Sequence, residues 1–181
     1  MVFDEDIKIA GNKPSQEIKQ RKAQGSTEEL ISPEEIQQAK KLGRIIAEKF
    51  CADNKEFSIA NDEFDSQMAL QRRLLLSFTA SVSFECFCKS DTVAGIAQKN
   101  FIDEIKNISG TLYDSSSDTG AFSFYYLAVR RGGEIERRIG QTFAMLCSHD
   151  GDPIYQELGE ALYCWFSSSI EKTVNELGLN K

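Results

Sequence analysis

The sequence predicts an all-α fold: an irregular or antiparallel bundle of about six helices, formed by residues 32–181 as a single helical domain behind a flexible N-terminal arm, residues 1–31. Three observations carry this expectation. Apolar residues recur at i, i+3, i+4 spacing in six segments. Several of these segments open on recognisable helix caps. No pair of segments shows the alternation that a strand pair needs.

The arm stands apart by composition. It is rich in Lys, Gln, Glu, Asp and Gly, with a single apolar patch at Val2, Phe3, Ile7 and Ile9. Gly11-Asn12-Lys13-Pro14-Ser15 then breaks any regular pattern. The first helix opens at Ser32-Pro33-Glu34-Glu35, where Ser32 can cap, Pro33 suits the first helical position and Glu35 completes a capping box. Ile36, Ala39, Leu42, Ile46, Ala47 and Phe50 follow on one face, predicting a helix over 33–53. Residues 54–64 read as a connection. The segment 65–89 starts amphipathic, with Gln67, Gln71, Arg72 and Arg73, and then turns apolar nearly all round from Leu74 to Phe87. Such a helix belongs at the centre.

Ser90-Asp91 caps a helix over 92–109, with Val93, Ala97, Phe101, Ile105 and Ile108 on its face and Gly110 as its stop. Residues 114–120 read as a loop. The aromatic helix 121–131 ends at Gly132-Gly133, and a further helix spans 134–148. Asp152 and Pro153 start the last helix, whose Ile154, Leu158, Leu162, Trp165, Phe166, Ile170, Val174 and Leu177 keep helical spacing up to Gly178.

Composition narrows the function classes. The 181 residues are 41% hydrophobic and 27% charged, an ordinary balance for a soluble chain. Lys plus Arg is 21 against 28 Asp plus Glu, a net charge of −7, which argues against a nucleic-acid partner. No run approaches the roughly 18 apolar residues of a membrane span. The start, Met1-Val2-Phe3-Asp4-Glu5-Asp6, lacks the basic and apolar regions of a secretory signal. Five scattered cysteines make a poor disulfide framework, and a reducing cytoplasm is the expected location.

The lone His149 excludes chemistries that need two histidines. Its doublet with Asp150 resembles that of metal-dependent phosphohydrolases of helical fold, which hold their metals with further histidines. Dipole-favoured placement at a helix end accounts for it better. Asp150, Asp152, Glu157 and Glu160 form an acidic group suited to magnesium. Glu157-Leu158-Gly159-Glu160 is similar to the first half of the helical nucleotide pyrophosphohydrolase motif, but no Glu-x-x-Asp follows it. Arg130 and Arg131, with Arg137 and Arg138, flank the glycine pair, and a tight turn there can gather four guanidiniums for a small anion. Cys86 and Cys88 point about 200° apart on a helix and cannot readily share a metal.

No catalytic constellation, phosphate loop or metal motif stands out, so no cofactor is expected. The expected function is a non-enzymatic binding or protein-interaction module that self-associates through apolar helix faces such as 121–131, where Phe122, Phe124, Tyr125, Tyr126 and Leu127 spread around the helix. The alternatives are a magnesium-dependent phosphohydrolase built on the carboxylates and a small-anion-binding domain built on the arginines.

Overall fold

Ser32 opens the first helix as its sequence predicts. Its hydroxyl accepts from the Glu35 backbone N–H at 3.2 Å, and the Glu35 carboxylate accepts from the Ser32 N–H at 2.8 Å. Two of the helix's orphan donors are thereby satisfied reciprocally. Lys89 bonds the other Glu35 oxygen, tying the start of this helix to the chain beyond the second one. The Lys89 ammonium and then Ser32 hold the Glu35 carboxyl down at about 2. Ser32→Ala is expected to cost about 0.5–2 kcal/mol, read as a lower denaturant midpoint. Because the folded carboxyl sits below its unfolded value, its contribution is complete above pH 4.5 and is lost as pH falls toward 2. That acid-side loss should shrink in Glu35→Gln.

The structure, a computed structural model, describes residues 31–60, 66–115, 119–130 and 132–181. The expected arm, all but its last residue, lies outside the described residues. Helices α1 (Pro33–Ala60), α2 (Ser66–Phe87), α3 (Asp91–Ile108), α4 (Gly110–Ser115), α5 (Thr119–Arg130), α6 (Ile135–Leu146) and α7 (Pro153–Glu176) follow in order. The all-α class holds. Among the described residues the sole extended pairing is one antiparallel bridge, Cys88 with Asn180.

Two boundaries differ from the sequence reading. Helix α1 runs on through 54–60, which had been expected to connect. No Gly or Pro stops it there, and the Asn54 amide bonds back to the Phe50 carbonyl at 2.7 Å, a local bond that stays within the helix. The chain after α3 also does not loop directly. Ser109 leaves the helical region at φ −157°, and its hydroxyl accepts from the Leu112 N–H at 3.3 Å. One serine thus ends α3 and starts α4, making seven helices among the described residues where the sequence predicts about six. Leu112 and Tyr113 then pack against the core.

Helix α2 is central, and its two sides face two cores. Leu76, Ala80, Phe84 and nearby Cys88 join α1, α3 and the end of α7 around Phe50, Phe101 and Phe166. Met68, Leu75, Phe78 and Val82 face α5 and α6 around Tyr125, Ile139 and Phe143. The small hydroxyls between these residues are absorbed locally. Thr79 donates to the Leu75 carbonyl at 2.8 Å, and Ser83 donates to Ser167 of α7 at 3.1 Å.

Close helix contacts sit at glycines. Helices α1 and α3 run in the same direction, with Gly43 against the α3 backbone at Ala97 and Phe101. Helices α6 and α7 form an antiparallel hairpin, with Gly140 against Gln156 and Gly159 against Phe143. At the C-terminal end, Gly178 takes φ +65°, and the N–H groups of Gly178 and Leu179 bond the carbonyls of Asn175 and Val174. This Schellman turn folds Leu179 into the first core, where the Leu179 carbonyl accepts from the Lys89 N–H. The end of α6 uses the same turn with Ser148 at φ +63°, the one non-glycine among the described residues in that region.

Candidate functional site

Of the arginine group, Arg130, Arg137 and Arg138 flank the turn between α5 and α6. Gly132 and Gly133 take φ +63° and +73°, conformations that glycine adopts without penalty. Arg138 reaches back and donates to the Gly132 carbonyl, so it fastens the turn. Arg137 pairs with Glu134 at 3.2 Å on an exposed surface. Arg130 is exposed at the end of α5, where the helix dipole favours it. Arg131 lies outside the described residues. Two of the four guanidiniums therefore already have local acceptors.

The carboxylates of the α6–α7 hairpin are spread by the fold. Asp152 caps α7, accepting from the Ile154 N–H at 2.9 Å. Asp150 and Glu157 are exposed, whereas the Cβ of Glu160 lies beside the Gly140 crossing. His149 follows the turn that ends α6, and its ring stacks on Tyr155 with centroids 3.8 Å apart and planes 8° from parallel. Among the described residues no group of three or more His, Cys, Asp or Glu side chains is placed to hold a metal ion. The five cysteines form no disulfide among the described residues. Cys51, Cys88 and Cys147 are buried, and burial pushes the Cys51 and Cys88 thiols up to about 11. No described helix is long and apolar enough to cross a membrane.

Helix α5 has two characters. Its inner side sends Phe122, Tyr125 and Tyr126 around Phe78 of α2, with ring centroids 5.1–5.8 Å away. Its outer side leaves Phe124 48% and Leu127 52% exposed. On α7, Ile154 and Trp165 are 73% and 49% exposed. Eleven residues apart, these two lie within about 20° of one another around the helix.

A cleft of about 550 Å³ opens between α2, α3 and α5, lined by Ser81, Phe84, Glu85, Asp91, Ala94, Gly95, Gln98 and Tyr126. Sequence reasoning did not find it. Asp91 read only as part of a cap. The available signal was Glu85 itself, the one charge between Leu74 and Cys88, which marks where the central helix surfaces. A second groove, about 440 Å³, lies between α1 and α3 and is lined by Gln37, Gln38, Lys40, Lys41, Arg44, Asn100 and Glu104. Comparison with protein-family models, with curated proteins and with solved structures finds no match for this chain.

Proposed function

We propose that this chain is a non-enzymatic helical interaction module of the cytoplasm that associates with a second copy of itself, with neither nucleic acid nor membrane as its partner. The observation that carries the reading is the outer side of α5. Phe124 and Leu127, three residues apart, share one strip of the helix and are each about half exposed. Ser123 and Arg130 border one edge of that strip, and the buried Ala128 and Tyr125 lie beyond the other. A two-fold axis beside α5 would set Phe124 of one copy against Leu127 of the other, burying both strips with one self-complementary surface. The open Trp165 and Ile154 on α7 offer further apolar area.

Sedimentation equilibrium of the full chain at micromolar concentration tests this reading. A species heavier than the monomer is expected, and Phe124→Ser with Leu127→Glu should return it to the monomer. Both side chains are exposed, so the variant should keep its helix content. A monomer across a wide concentration range would overturn the reading.

A further inference from the structure

We draw no further inference here: the strongest candidate, the groove between α1 and α3 lined by Lys40, Lys41 and Arg44, rests on three exposed cations, and no second observation among the described residues points to a ligand there.

Discussion

Gly43→Ala should destabilise the protein by about 3 kcal/mol or more, at or beyond the upper end of what an added core methyl usually costs. A Cβ at this position would stand 2.3 Å from the Ala97 carbonyl oxygen, 2.8 Å from the Phe101 nitrogen and 2.9 Å from the Asn100 Cβ. The first two atoms are backbone, so no side-chain rotation relieves the contact. Helices α1 and α3 would have to separate, and Leu42, Ile46, Phe50, Ala97 and Phe101, all fully buried, would lose contact with them. Helix propensity works the other way, favouring alanine by about 1 kcal/mol. That gain is too small to offset the clash. Gly95 on α3 is the matched control, because it is exposed and has nothing within 4 Å of a Cβ. Gly95→Ala should stabilise by roughly 0.5–1 kcal/mol. Chemical denaturation of the two variants decides the matter. A Gly43→Ala protein as stable as the parent would mean that the two helices do not meet as closely as described.

The glycine contacts show where legibility ended. Caps are local, so Ser32, Ser90 and Asp152 announced the starts of α1, α3 and α7, and all three make their bonds. The unbroken apolar character of Leu74 to Phe87 announced a central helix, and these residues do supply both cores. Gly43, Gly140 and Gly159 carry no local message, because what they permit depends on which helix crosses them. Ser109 was missed for a related reason. A serine beside a glycine reads as a stop, yet the same hydroxyl can start a new helix when Leu112 has a core to join. Of the candidate site, the sequence offered the outer aromatics of α5 but not the cleft. Glu85, Asp91 and Gln98 lie on two helices, and only the angle between α2 and α3 brings them to one opening.

The polar first half of α2 was the other concealed feature, and it supports the second large effect. Gln71 and Arg72 are buried, each 6% exposed, although their residue types suggest a solvated face. The Arg72 guanidinium pairs at 2.5 Å with Asp53 of α1, whose side chain keeps 23% of its surface. Breaking a fully buried pair by removing one partner costs about 3–5 kcal/mol, and partial hydration at Asp53 lowers this to about 2–4 kcal/mol here. The two single substitutions should be unequal. Asp53→Ala takes the balancing carboxylate from a guanidinium that water barely reaches, so it should carry the full cost. Arg72→Met leaves a carboxylate that can turn toward solvent and keeps apolar volume inside, so it should cost less. The double variant should then be more stable than Asp53→Ala alone, since an apolar side chain of similar volume replaces a stranded charge. A double-mutant cycle by urea denaturation measures all three. Strictly additive losses would show that the two side chains act independently and that α1 and α2 are held together here by packing alone.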